Sequence, residues 1–226
     1  MASGGRYAST ARSSLSKTVA FDLDGTLVDA EPRQVRVAQH AAASDFDAAT
    51  FWSYKREGTT TFEALRQLGF DDGHADDIAD AWRAHIEDPD WLKLDRAFDG
   101  TAEVLASVAG AGYRLAVITA RSRPAGARQV LDVNGLATLV DLIVVEPEAA
   151  VDAKAEALRD LEAVGFIGDT EADGAAAAAA GVPFVAVTTG QRSAAFLERL
   201  GYPTAASLAA AWDLLSSRMG PPAEAT

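Results

Sequence analysis

The sequence predicts an α/β protein whose core is a doubly wound parallel sheet, with a smaller all-helical domain inserted near its start. From residue 95 onward, short apolar runs alternate with stretches of helical periodicity. Residues 30–94 lack strand-like runs and carry apolar side chains at helical intervals instead. Repeated strand–helix units favour a parallel sheet with helices on both faces, joined by right-handed crossovers.

Composition limits the classes of function. The 226 residues are enough to bury a substantial core. A formal net charge of −13 opposes nucleic acid or an anionic membrane as the main partner. The lack of cysteine excludes disulfides, thiolate metal sites and cysteine nucleophiles, and no apolar run approaches the roughly 20 residues that cross a bilayer. We therefore expect a soluble cytoplasmic protein, monomeric or homodimeric, with neither a nucleic acid nor a membrane as its partner.

Both ends of the chain are predicted to be flexible tails. Residues 1–17 are rich in Ser, Gly, Ala and Arg, lack acids, and contain no apolar segment of the kind that a secretory signal requires. Residues 219–226 are mostly Gly, Pro and Ala. Between the tails, the sequence predicts a core made of residues 18–29 and 95–218, interrupted by the helical residues 30–94.

The first predicted element is a strand over Thr18–Phe21, a short and partly β-branched apolar run typical of a strand covered on both faces. Asp22 and Asp24 follow it directly, and two adjacent carboxylates repel unless a cation or a shared proton relieves them. Gly25 then permits a tight turn and exposes a backbone N–H to an anion. Alone, such a pattern is more often a strand followed by a polar turn, so its interpretation depends on the rest of the chain.

Several short helices are predicted to follow, up to a turn around Pro89. The Asp-rich residues 71–77 are expected to join or cap two of these helices in solvent. The apolar faces of the helices comprise Val35, Val37, Phe46, Phe51, Trp52, Tyr54, Phe62, Leu65, Leu68, Ile78, Trp82 and Ile86.

After residue 95, helices and strands alternate. The predicted helices cover residues 101–110, 123–133, 152–163, 171–180, 194–200 and 207–215, and the predicted strands cover residues 114–119, 139–145, 164–167 and 183–188. Ligands of such sheets bind beyond the carboxyl ends of the strands. Asp22, Thr119 and Asp169 each fall at such an end, so we expect them to meet at one edge of the sheet, called the rim below.

Four segments, in the required order, resemble the motifs of the haloacid dehalogenase (HAD) superfamily. Residues 22–29, Asp-Leu-Asp-Gly-Thr-Leu-Val-Asp, resemble the first motif, in which the first Asp is a nucleophile. Val117-Ile118-Thr119 resembles the second motif, Lys154 the third, and Gly168-Asp169-Thr170-Glu171-Ala172-Asp173 the fourth. The resemblance implies a Rossmann-like core, the phosphatase branch of the superfamily, and a mobile helical cap that closes over the site and selects the substrate.

The resemblance also implies the chemistry of the rim. Asp22 would attack phosphorus and form an aspartyl-phosphate, while Asp24 would protonate the leaving oxygen and later deprotonate the attacking water. Lys154 would hold the phosphate against Asp22 and offset the local negative charge. The other implied phosphate contacts are the Thr119 hydroxyl and the backbone N–H groups of Gly25 and Ala120.

Mg²⁺ is the implied cofactor, because it prefers oxygen ligands in octahedral geometry. Its implied ligands are the Asp22 carboxylate, the Asp24 backbone carbonyl and Asp169, with Asp173 either in contact with the ion or supporting the other ligands. Arg121 is a candidate contact to the phosphate or substrate, although it departs from the Asn-Lys pair often seen in phosphoglycolate-type relatives. Taken singly, each of these residues has an ordinary structural explanation, and it is their order on successive strand ends that favours catalysis.

Asp24 favours a phosphate ester over a haloacid, since relatives that displace halide need no proton donor at this position. We therefore expect a Mg²⁺-dependent phosphatase of a small soluble metabolite whose identity the sequence does not give. A sugar-phosphate mutase and a catalytically idle binding or regulatory relative remain alternatives. Phosphonate cleavage would need a cap lysine, for which Lys55 is available but unmarked by its sequence neighbours. Candidate cap contacts to the substrate are Glu31, Arg33, Arg36, Lys55 and Arg56.

Overall fold

The computed structural model of the protein describes residues 17–219. The flexible tails predicted for residues 1–17 and 219–226 therefore lie almost wholly outside the described residues. At the C-terminal boundary the last described helix includes Met219, so the described chain continues one residue beyond the predicted core.

A parallel sheet forms the centre of the described chain. In chain order the strands are β1 (Thr18–Phe21), β2 (Val28–Asp29), β3 (Arg96–Ala97), β4 (Arg114–Thr119), β5 (Asp141–Val144), β6 (Ala163–Gly168), β7 (Phe184–Val187) and β8 (Thr204–Ala205). Six of them pair in parallel in the order β5-β4-β1-β6-β7-β8. Because β1 lies between β4 and β6, the carboxyl ends of these three strands are neighbours.

Helices complete the fold. They are α1 (Glu31–Ala42), α2 (Ala48–Arg56), α3 (Thr61–Gln67), α4 (Asp72–His85), α5 (Pro89–Leu92), α6 (Thr101–Gly110), α7 (Pro124–Val133), α8 (Ala150–Asp160), α9 (Glu171–Ala180), α10 (Ala194–Arg199) and α11 (Leu208–Met219). A 3₁₀ turn over Pro147–Ala149 precedes α8.

Successive strand residues bury opposite faces of the sheet, as the pleat requires. Val19 and Phe21 of β1 belong to one apolar cluster, which includes residues of α6, α7 and α11. Ala20 belongs to a second cluster, which includes residues of α8, α9 and α10. Helices therefore cover both faces, and the predicted doubly wound α/β class is confirmed.

The five helices α1–α5 form an insertion between β2 and β3, called the helical insertion below. It has its own apolar cluster, which includes Phe51, Trp52, Leu65 and Ile78. The chain leaves and re-enters the core through the antiparallel pair β2–β3, in which Val28 opposes Ala97. That the helical insertion is a domain separate from the core stays a prediction.

The sequence missed three elements and misplaced some boundaries. Strands β2, β3 and β8 have two residues each, too few for an alternating pattern to reveal. The helix predicted over residues 152–163 spans Ala150–Asp160, since Ala163 already pairs with Thr18 at the start of β6. The last helix extends four residues beyond the predicted residue 215, to Met219, which packs against Gly165 of β6.

Two loops come into backbone contact beyond β1. Gly25 has a left-handed φ of +76°, as its predicted tight turn requires. A Cβ atom on Gly25 would lie 2.3 Å from Asp169 Oδ2 and 2.7 Å from the Cα atom of Gly190 in the loop after β7. The Thr189 hydroxyl donates a hydrogen bond to the Gly25 carbonyl at 2.7 Å, which ties the same two loops together. A side chain at position 25 is therefore incompatible with this approach.

We expect Gly25→Ala to destabilise the protein more than Gly135→Ala. Both glycines are left-handed, at φ +76° and +71°, so each substitution should cost about 1 to 2 kcal/mol. A Cβ at Gly135 would meet no described atom within 4 Å, whereas the overlap at Gly25 should add about 1 to 3 kcal/mol. Urea denaturation followed by circular dichroism measures both losses. Equal losses in the two variants would contradict the close approach.

Candidate active site

The rim brings together residues from three strand ends. Asp22 directly follows β1, Thr119 is the last residue of β4, and Asp169 directly follows β6. Asp22 is 6% exposed, and Thr119 and Asp169 are 2% exposed. The three residues therefore lie at the carboxyl ends of neighbouring strands, as predicted, and all three are buried.

Three carboxylates form a cluster at the rim. One oxygen each from Asp22, Asp169 and Asp173 lies within 4.8 Å of the others. Asp173 is held by the start of α9, where its Oδ2 accepts hydrogen bonds from the Thr170 backbone N–H at 3.1 Å and from the Thr170 hydroxyl at 2.6 Å. The Gln191 N–H donates to Asp169 Oδ2 at 2.6 Å. Buried carboxylates at this spacing suit a hard divalent cation such as Mg²⁺.

Lys154 of α8 bonds two members of the cluster. Its Nζ donates to Asp22 Oδ1 and to Asp173 Oδ1, both at 2.6 Å. Burial acts to lower the pKa of Lys154, but Asp173 and Asp22 outweigh it and hold the pKa above its usual value. The predicted proximity of Lys154 to Asp22 is thus present, and the lysine stays charged.

Burial has the opposite effect on two of the acids. It raises the pKa of Asp22 to about 7, although Lys154 acts to lower it. Burial also raises the pKa of Asp169 well above its usual value, and the charges of Asp22 and Asp173 add to this effect. A cation bound between two such acids would stabilise the ionised form of both. The residues present therefore fit the implied metal.

Asp24 lies in a different environment, although it is only two residues from Asp22. Arg33 of α1 donates to its Oδ1 at 2.5 Å, and Arg121 donates to Oδ1 at 2.6 Å and to Oδ2 at 2.8 Å. Burial acts to raise the pKa of Asp24, but Arg121 and Arg33 outweigh it and lower the pKa. Asp24 is therefore held as a carboxylate in this arrangement.

Asp95 completes the same network. It is 0% exposed and accepts hydrogen bonds from Arg33 Nε at 2.8 Å and from Arg121 Nη2 at 2.7 Å. Arg121, the candidate substrate contact, is thus bound to two acids. Within residues 17–219 its Nη1 has no hydrogen-bond partner and is buried. Asp95 was missed by the sequence analysis, because an isolated acid at the end of the helical insertion carries no local signal.

The Gly25 N–H donates to the Val28 carbonyl at 2.7 Å and so already has a partner. Its predicted contact to phosphate, like those of Thr119, Ala120 and Lys154, stays a prediction. The metal contacts predicted for Asp22, Asp24, Asp169 and Asp173 likewise remain predictions.

The helical insertion contacts the core around the rim. Arg56 donates to the carbonyls of Thr188 and Gly190, both at 2.9 Å. Gln191 donates to the Gln34 side chain at 2.8 Å, and Arg192 donates to the Lys55 carbonyl at 2.9 Å. These bonds hold the loop after β7 between the helical insertion and Asp169. Neither Gln191 nor Arg192 was predicted from the sequence, because the residues that they bond in the helical insertion lie more than 130 positions away.

In the described part of the chain, no helix is long and apolar enough to cross a membrane.

The chain is similar to several known proteins. The family model for haloacid dehalogenase-like hydrolases matches residues 19–187. The tyrosine-protein kinase PtkA of Mycobacterium tuberculosis (strain ATCC 25618 / H37Rv) is 31% identical over 89% of this chain and 72% of its own length. A phosphoglycolate phosphatase of Cereibacter sphaeroides (strain ATCC 17025 / ATH 2.4.3) is 30% identical over 78% of this chain and 87% of its own.

Solved structures show the same fold. The M. tuberculosis PtkA structure matches with a TM-score of 0.69 and 26% identity over 90% of this chain and all of that chain (100%). A haloacid dehalogenase-like hydrolase from Streptococcus pneumoniae matches with a TM-score of 0.66 and 20% identity over 84% of this chain and 92% of that chain. The enzyme class predicted from the sequence, a hydrolase of phosphoric monoesters, is confirmed. The chain belongs to the haloacid dehalogenase-like hydrolase family.

Proposed function

We propose that the protein is a Mg²⁺-dependent phosphatase of a small phosphorylated metabolite in the cytoplasm, acting through an aspartyl-phosphate on Asp22. The observation that carries the proposal is the buried cluster at the rim, in which Asp22 lies beside Asp169, Asp173 and Lys154. Similarity to phosphoglycolate phosphatases supports a small substrate. We expect no nucleic-acid partner, and a monomer or homodimer.

Asp22 supplies the nucleophile. Its carboxylate bonds Lys154, which keeps it oriented and offsets its charge, so it can attack phosphorus in line with the leaving oxygen. Asp169 and Asp173 would hold Mg²⁺ together with Asp22 and the Asp24 carbonyl. When bound, the ion would neutralise charge on the phosphate oxygens and position the phosphate. Lys154 and the Thr119 hydroxyl would contact the same phosphate.

Asp24 supplies proton transfer. As a carboxylate it can accept the proton of the water that hydrolyses the aspartyl-phosphate. To protonate the leaving oxygen in the first step, Asp24 must instead be in its protonated form. We infer that a substrate phosphate draws Arg121 or Arg33 away from Asp24, because either guanidinium can bond a phosphate in the same forked geometry. The buried Nη1 of Arg121, which has no partner within residues 17–219, would gain one in such a contact.

Closure of the helical insertion favours a small substrate over a folded protein. Arg33, Gln34 and Arg56 all contact the core around the rim, and Asp22 is 6% exposed. A protein tyrosine side chain would have to enter between these contacts with its own backbone attached. This consideration weighs against the activity that the name of the mycobacterial kinase relative describes, although both activities transfer a phosphoryl group.

We expect Asp22→Asn to abolish phosphate release from p-nitrophenyl phosphate in the presence of Mg²⁺. Loss of a covalent nucleophile should lower kcat by at least about three orders of magnitude. The matched control is Asp76→Asn, which makes the same change on the exposed surface of α4 and should leave kcat at the wild-type value. Phosphate release by Asp22→Asn at the wild-type rate would exclude the mechanism.

A parallel incubation with ATP and a tyrosine-containing peptide tests for tyrosine kinase activity. Peptide phosphorylation without release of phosphate from any small ester would favour the kinase reaction over the phosphatase reaction.

We expect the thermal stability of the metal-free protein to fall between pH 5.5 and pH 8. Acids whose pKa is raised in the folded state, Asp22 to about 7 and Asp169 well above its usual value, bind more protons there than in the unfolded chain. Their contribution to the free energy of unfolding is therefore present at low pH and is lost as the pH rises through the folded pKa. Differential scanning fluorimetry at fixed ionic strength measures the trend.

Mg²⁺ at pH 8 should reverse this loss, raising Tm by at least about 2 °C. Asp169→Asn should remove most of the Mg²⁺ response, and Asp76→Asn should keep it. The same Mg²⁺ shift in Asp169→Asn as in the wild type would show that the ion binds elsewhere.

A further inference from the structure

Lys55 of α2 is a buried cation that the mechanism does not use. It is 5% exposed, and its Nζ donates one hydrogen bond, to the Thr61 hydroxyl at 3.2 Å. The same atom lies 5.7 Å from the centroid of the Trp82 ring. Within residues 17–219, no carboxylate forms an ion pair with it and no second acceptor is present. An ammonium group has three N–H donors, so two of them have no described protein partner.

This arrangement is costly unless a ligand completes it. A buried charge without a partner of opposite sign destabilises the folded protein, and a ring face offsets only part of that cost. Burial, together with the positive charge of Arg192, accordingly lowers the pKa of Lys55 to about 8, although Glu171 and Glu63 act to raise it. An apolar side chain of similar length would fill the same space without this cost.

The surroundings of Lys55 connect directly to the rim. Its carbonyl accepts a hydrogen bond from Arg192 at 2.9 Å, and the adjacent Gln191 donates to Asp169 at 2.6 Å. Trp82, whose ring lies near the ammonium, donates its indole N–H to the Gln34 carbonyl, and the Gln34 side chain accepts from Gln191. The backbone of Lys55 therefore contacts the loop over Asp169, and the charges of Arg192 in that loop and of Glu171 at the start of α9 act on its ammonium group.

We propose that Lys55 Nζ, with the Thr61 hydroxyl, forms a second anion-binding subsite for the part of the substrate that leaves with the ester oxygen. The substrate class is then a phosphate monoester that carries a second negatively charged group. The inference rests on the proposed phosphatase function and deepens it. One ammonium and one hydroxyl are a small set of donors, which suits a carboxylate at least as well as a second phosphate.

The test compares phosphate esters that carry a second anionic group with esters of the same carbon frame in which a hydroxyl replaces that group. The two-carbon pair is 2-phosphoglycolate and 2-hydroxyethyl phosphate, and the three-carbon pair is 3-phosphoglycerate and glycerol 1-phosphate. Ethane-1,2-diol bisphosphate replaces the carboxylate by a second phosphate and so distinguishes the two anionic groups. The measured quantity is the ratio of kcat/KM for the ester with the second anionic group to kcat/KM for the ester that lacks it.

We expect a wild-type ratio of about 10 to 100 for at least one carbon frame, because one charge-assisted hydrogen bond has an effect of this size. Lys55→Met should bring the ratio close to 1, and Lys55→Arg should restore part of it. Lys93→Met is the matched control, because Lys93 is exposed and paired with Asp90 outside the rim, and it should keep the wild-type ratio.

The pH profile separates charge from packing. In the wild type the ratio should decline between pH 7 and pH 9.5, as Lys55, which faces Arg192, Glu171 and Glu63, loses its proton. The decline should be absent in Lys55→Arg, whose guanidinium stays charged.

Each remaining result overturns a specific statement. Turnover of p-nitrophenyl phosphate with a ratio that Lys55→Met leaves unchanged would refute the subsite alone. Equal losses for both members of each pair would show that Lys55 only supports the packing of the helical insertion. Lack of turnover of every ester by the wild type would refute the proposed function, and the subsite with it.

Discussion

The structure depends on the placement of three buried carboxylates, Asp22, Asp169 and Asp173, within 4.8 Å of one another. Like charges at this spacing do not assemble without support, because burial and mutual repulsion both oppose ionisation. The support is distributed over the fold. Two strand ends carry Asp22 and Asp169, the capping box of α9 fixes Asp173, and Lys154 bonds two of the three acids. The sheet order, with β1 between its two neighbours, is what makes this geometry available from distant parts of the chain.

The surroundings give Asp22 and Asp24 opposite properties. Burial raises the pKa of Asp22 to about 7, whereas Arg121 and Arg33 overcome burial and lower the pKa of Asp24. Two acids whose pKa values are driven apart in this way are suited to different tasks. Because Arg33 belongs to the helical insertion and Arg121 to the core, the charge state of Asp24 depends on contacts from both parts of the chain. Asp95, buried at the end of that insertion, binds both arginines and so helps to hold them beside Asp24.

Much of the fold and of the rim could be predicted because the relevant signals are local. The strand over Thr18–Phe21 and the helix over Glu171–Ala180 have the predicted bounds, since apolar runs and alanine-rich segments specify them directly. Convergence of Asp22, Thr119 and Asp169 followed from the rule that parallel strands end at one edge. Asp95 and Gln191 were missed because their partners lie far away in sequence, as with Arg33 and Asp95, which are 62 positions apart. Gly25 shows both outcomes. Its tight turn was predicted from the sequence, but the hydrogen bond of its N–H to the Val28 carbonyl was not.

Lys154 and Lys55 show why chemistry is easier to predict than specificity. Both are 5% exposed, yet Lys154 bonds two carboxylates, whereas Lys55 bonds one hydroxyl. The charge of Lys154 is balanced within the protein, so its burial needs no ligand to explain it. The charge of Lys55 is not balanced by an ion pair in the described chain, and the helical insertion keeps it beside the loop that bonds Asp169. Lys154 could be predicted because it falls where the sequence resembles a motif of the family. Within residues 17–219, the lack of an acidic partner distinguishes Lys55, and this lack leaves its charge available to a ligand.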